Sequence, residues 1–60
     1  MEHLREIRLS KKMTQDELSK KSGISRTTIS KLENGKQTTV TNTTIIALAD
    51  ALGIPAGLLV

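Results

Sequence analysis

Cysteine, phenylalanine, tyrosine and tryptophan are all missing from this sequence. Without cysteine there is no disulfide framework, no zinc finger and no thiol nucleophile. One histidine is too few for a metal site of the usual kind, so neither a metal nor another cofactor is expected. Without aromatic rings there is no platform for stacking bases, which argues against single-stranded nucleic acid as a partner. The core must then be aliphatic, drawn from eight Leu, six Ile, four Ala, two Val and two Met. No apolar run approaches the roughly 20 residues of a membrane span. Glu2, Arg5, Glu6 and Arg8 interrupt the early apolar stretch, so no signal peptide is expected. Paired carboxylates in a credible cleft, a nucleophile with its base and a phosphate loop are missing as well, and the chain is not expected to be an enzyme. Its 60 residues allow a single domain, 1–60, with a modest core.

Charge is nearly missing from the second part of the chain. Residues 37–60 carry Asp50 alone, whereas all nine Lys and Arg fall within 1–36, against five carboxylates there. The N-terminal part therefore suits a polyanion. The basic residues are split over short segments rather than one long amphipathic helix, which disfavours a membrane surface.

Leu4 and Ile7, three apart, predict a short helix over residues 3–9. Thr14-Gln15-Asp16-Glu17 reads as a capping box opening a helix over about 15–22. Lys20 and Lys21 suit its C-terminal end, and Gly23 can close it in the left-handed conformation. Ser25 is a good N-cap for a third helix, which Asn34-Gly35 ends. Residues 36–41 read as a loop. Thr41 or Asn42 can cap a fourth helix, 43–52, with Ile45, Leu48, Ala49 and Leu52 as its apolar stripe. Pro55 suits the start of a fifth, barely one turn long. The tail Leu58-Leu59-Val60 is open to three readings: core, dimer seam or the end of a piece.

Two short helices joined by Ser22-Gly23-Ile24, with Leu18, Ile29 and Leu32 filling the angle between them, form a helix-turn-helix pattern over about 15–33. At about 100° per residue, Arg26, Thr27, Ser30 and Lys31 share one polar arc of helix 25–33, and Ile29 and Leu32 lie opposite. Arg and Lys can donate to guanine O6 and N7, and a Thr methyl can touch a thymine methyl. His3 reads as an exposed bystander.

The run Thr14–Lys36 (TQDELSKKSGISRTTISKLENGK) closely resembles the phage repressor and Cro-type helix-turn-helix family, and Leu48–Pro55 (LADALGIP) resembles that family's fourth helix and following turn. The resemblance covers about residues 4–55. It implies an all-α, compact four- to five-helix bundle, a lambda-repressor-like DNA-binding domain. It implies base reading by Arg26, Thr27 and Lys31, to which the arc adds Ser30. It implies phosphate contacts from Gln15, Asn34 and Lys36, and a structural ion pair between Arg8 and Glu33, with Arg8 also near a phosphate. The chain departs from the family in a Thr-rich 36–42 loop, in Asn42 where an apolar residue is common, and in a short fifth helix containing Gly57, near the family's usual dimer contact.

The expected function is sequence-specific binding of double-stranded DNA by a transcriptional regulator, with repression preferred to activation and helix 25–33 in the major groove. The expected partners are a DNA operator and a second copy of the chain in a homodimer, since one domain covers few base pairs. The expected setting is the cytoplasm of a bacterium, or of a bacterium carrying a phage. An antitoxin role, with a toxin as protein partner, is the less favoured alternative, because such proteins carry extra sequence outside the helix-turn-helix.

Overall fold

The computed structural model describes residues 1–59 and contains four α-helices and a 3-10 turn, with no strand among those residues. The helices are α1 (Glu2–Ser10), α2 (Gln15–Ser22), α3 (Arg26–Glu33) and α4 (Asn42–Leu52), and the 3-10 turn spans Ala56–Leu58. The architecture is the expected all-helical bundle. Its expected fifth helix is this three-residue turn: Pro55 sets the entry, but Ala56-Gly57-Leu58 is too short to close an α-helical ladder, and glycine adds no helix propensity.

Local chemistry explains the boundaries. The Thr14 hydroxyl accepts from the Glu17 amide at 3.1 Å, and the Glu17 carboxylate accepts from the Thr14 amide at 3.0 Å, completing the capping box of α2. Those bonds hold the fully exposed Glu17 carboxyl below its ordinary range. Ser25 caps α3 through the Thr28 amide, 3.1 Å away. Thr41 caps α4 through the Thr44 amide at 3.3 Å, so α4 begins at Asn42, one residue earlier than expected. Helix α1 likewise runs one residue further at each end than predicted. It is closed by Lys12, whose φ of 56° lies in the left-handed region usually reserved for glycine.

Leu4, Leu18, Ile29, Leu32, Leu48, Ala49, Leu52 and Leu59 form one core, with six of them essentially inaccessible. Each such Leu or Ile contributes roughly 1.5–3 kcal/mol by its burial. Helix α2 packs on both α3 and α4, α1 packs on α3, and the 3-10 turn packs on α4. Val40 also packs against the core, anchoring the loop, whereas Asn42 is exposed. Ile45 stays half-buried outside the core cluster, so the stripe on α4 is narrower than its sequence suggests. Of the apolar tail, Leu59 is core and Leu58 is 55% exposed; Val60 lies outside the described residues.

Candidate nucleic-acid interface

The turn between α2 and α3 sets the relative placement of every residue on the surface. Gly23 closes α2 with φ 75° and ψ 7°, and its amide donates to the Ser19 carbonyl at 2.9 Å. A Cβ at Gly23 would meet no neighbour, so the positive φ is what selects glycine there. The Ser19 hydroxyl donates to the Ile24 carbonyl at 2.6 Å, and the Ile24 amide donates to the Ser22 hydroxyl at 3.1 Å. Two small hydroxyl side chains thus satisfy the turn's backbone and hold α3 against α2. Ile29 and Leu32 then face the core, which turns Arg26, Thr27 and Lys31 outward.

A shallow open groove of about 450 Å³ runs along this outward side, lined by Gln15, Arg26, Thr27, Ser30, Lys31, Asn34 and Lys36. The structure therefore brings together the four side chains expected at bases and three of the four expected at phosphates. The lining holds three cations and no carboxylate, which gives the groove a positive field suited to a polyanion. Arg26, Thr27, Lys31, Asn34 and Lys36 are exposed, while Gln15 and Ser30 are half-buried. The Asn34 side-chain oxygen accepts from the Lys36 amide at 3.1 Å, and the Gln37 amide donates to the Lys31 carbonyl at 3.2 Å. This folds the chain back at the end of α3 and leaves the NH2 end of Asn34 for an acceptor outside the protein.

Arg8 occupies a different place. It is 8% exposed and is not among the residues that line the groove. Its Nε donates to Glu33 Oε2 at 2.7 Å, its Nη2 to Glu33 Oε1 at 3.0 Å, and its Nη1 to the Met13 carbonyl at 2.7 Å. Gln15 Nε2 donates to the same Glu33 Oε1 at 3.1 Å. One carboxylate therefore ties α1, α2 and α3 together and fixes the rotamer of Gln15 at the groove edge. Burial pushes the Glu33 carboxyl up, but the hydrogen bonds from Arg8 and Gln15, with the charges of Arg8 and Arg5, outweigh it and hold it below the ordinary range. The same bond to Glu33 raises Arg8 against the opposing effect of its burial. Three of the five Arg8 N–H donors are engaged, and two remain.

Besides the Gln15–Glu33 bond, two features of the surface escaped the sequence reading. A second depression, of about 240 Å³, adjoins the first and is lined by Arg5, Arg8, Gln15, Ser30, Glu33 and Asn34. It brings Arg5 to the edge of the site. Arg26 also pairs with Asp16 of α2, Nη1 to Oδ1 at 3.6 Å. Neither has a sequence signal, because α1–α3 and α2–α3 side-chain registers follow from packing rather than from spacing.

Among the described residues no cluster of His, Asp or Glu could hold a metal ion, and no helix is long and apolar enough to cross a membrane. No solved structure matches the chain. Over 54 residues the chain is 48% identical to an uncharacterized HTH-type transcriptional regulator of Bacillus subtilis (strain 168), RghRB, covering 90% of this chain and 39% of that protein. It is 44% identical over 54 residues to the HTH-type transcriptional repressor RghR of Bacillus subtilis (strain 168), covering 90% of this chain and 40% of the relative. The chain thus spans about two fifths of the length of these relatives. The helix-turn-helix family model matches residues 4–59, nearly the whole chain, and that span includes the capped α2, the glycine turn and α3. The chain belongs to the Cro/C1-type helix-turn-helix family.

Proposed function

We propose that this chain is the DNA-binding unit of a bacterial or phage-encoded transcriptional repressor, reading operator DNA in the major groove with α3. The observation that carries the reading is the single groove that collects Gln15, Arg26, Thr27, Ser30, Lys31, Asn34 and Lys36. Arg26, Thr27, Ser30 and Lys31 read base edges, where Arg and Lys donate to guanine O6 and N7. Gln15, Asn34 and Lys36 hold phosphates on either side and set the register. Arg8 adds to the phosphate field through its two remaining donors while serving the ion pair with Glu33. The activity is binding in the cytoplasm, not catalysis. One domain covers few base pairs, so a homodimer on two half-sites about one helical turn apart supplies useful affinity. The repressor named among the relatives supports the direction of regulation.

Selection of bound sites from a random duplex pool tests this, with wild type beside the Arg26→Ala, Lys31→Ala double variant. A palindromic consensus that the double variant loses is the expected result. No enrichment by the wild type, or a consensus that the double variant keeps, overturns the reading.

A further inference from the structure

We infer that Asp16 is a positioning residue for Arg26, one that raises base selectivity by making a phosphate contact of Arg26 less favourable than a base contact. The inference rests on the reading of α3 as a major-groove helix and deepens it. Asp16 is the second residue of α2 and Arg26 the first of α3. The turn brings the two helix starts together, with Arg26 Nη1 3.6 Å from Asp16 Oδ1. Both side chains remain about two-thirds exposed, at 65% and 66%, so the pair is weak and readily exchanged in the free protein.

Asp16 also suits the positive end of the α2 dipole, a role it shares with Glu17 and one that does not call for a partner on α3. The capping of α2 is already done by Thr14 and Glu17. The carboxylate follows Gln15 directly and sits beside a groove that carries three cations and no acid. On a surface meant for a polyanion, such a charge is unfavourable unless a cation neutralises it.

The guanidinium fork makes the effect selective. Arg carries five N–H donors in a fixed plane. Two of them serve guanine O6 and N7 in a bidentate contact, and others stay available to the Asp16 carboxylate. In that state Asp16 is neutralised and the fork is held in one orientation. When Arg26 swings out to a phosphate instead, Asp16 is left unpaired and facing the DNA backbone. The carboxylate therefore opposes the sequence-independent mode more than the base-reading mode, which is how a repulsive element produces specificity.

The test is duplex binding by wild type and Asp16→Asn, each with and without Arg26→Ala. Labelled DNA carries the selected consensus, its single-base variants or random sequence, and melting curves check that each variant folds. Asp16→Asn is expected to tighten random-sequence binding by about two- to fivefold, the size an exposed ion pair supports. It is also expected to lower discrimination by a similar factor at the one base position whose preference Arg26→Ala abolishes. Asp16→Glu, which keeps the charge, is expected to retain most of that discrimination. With Arg26→Ala present, Asp16→Asn is expected to shift all duplexes alike. An equal gain on every duplex with Arg26 in place, or unchanged discrimination at that position, overturns the inference. A wild-type protein with no preferred site at all overturns the reading of α3 along with it, and that failure is told apart by the missing consensus.

Discussion

On its inner side α3 buries Ile29 and Leu32 completely and binds Glu33 to α1 and α2. On its outer side Arg26, Thr27 and Lys31 stand exposed, and Arg26 keeps one loose ion pair. The two ion pairs of this region express the same contrast. Arg8–Glu33 is 2.7 Å long with side chains 9% and 4% exposed, whereas Arg26–Asp16 is 3.6 Å long and mostly solvated. The inner face is built to hold one arrangement, and the outer face is kept free to exchange partners. A helix of eight residues is too short to be stable alone, so the outer face owes its shape to the inner one.

The contrast breaks first at the core. Ile29→Ala is expected to cost about 2–5 kcal/mol of folding stability, enough to unfold much of so small a domain, as read by thermal and urea melts. Glu33→Ala comes next, at about 1–3 kcal/mol, because it leaves Arg8 buried without its carboxylate and frees Gln15. The pH dependence of wild type tests the same group. The folded-state pKa of Glu33 lies below its unfolded value, so its contribution is present at neutral pH and is lost as the pH falls through the folded-state pKa. Melts are expected to hold steady down to about pH 5 and to weaken below about pH 4, with Glu33→Gln flattening part of that acid limb.

Changes to the outer face sharpen the contrast instead. Arg26→Ala and Lys31→Ala are each expected to cost about 1–3 kcal/mol on the selected site and to relax base preference there, with unchanged melting curves. Gln15→Ala stands between the faces. It is expected to weaken all duplexes alike by about 1 kcal/mol and, because glutamine is uncharged, to leave the slope of affinity against salt unchanged. The smallest expected effect is outside α3: Lys12→Gly relieves the positive φ at the end of α1 but loosens the unfolded chain, a net gain under about 1 kcal/mol in melts.

Much of this organisation was legible in the residues. The capping box placed the start of α2 because Thr14 and Glu17 signal only each other, and Gly23 marked its end because a positive φ favours glycine. The polar arc of α3 was readable because 3.6-residue periodicity needs no partner to be computed, and the groove is lined by that arc. What could not be read depends on packing across helices. Nothing in the spacing of Gln15 and Glu33, or of Asp16 and Arg26, says that their side chains meet. The end of α1 was hidden for another reason: Lys12 adopts a glycine-like conformation without a glycine to announce it. The fifth helix was overestimated because Pro55 signals a start, while Gly57 inside the first turn disfavours an α-helix and the turn closes as 3-10.

The shared carboxylate of Glu33 has a consequence for how folding and recognition are coupled. Because Arg8 from α1 and Gln15 from α2 converge on one side chain of α3, detaching any of the three helices releases part of the surface proposed to face DNA at the same time. The binding-competent population is then the folded population, and the apparent dissociation constant rises in proportion as that fraction falls. By the same linkage a saturating duplex adds RT ln(1 + [L]/Kd) to the stability of the domain, about 2.7 kcal/mol at a hundredfold excess over Kd. In the proposed function the operator thereby acts as a folding cofactor for the domain.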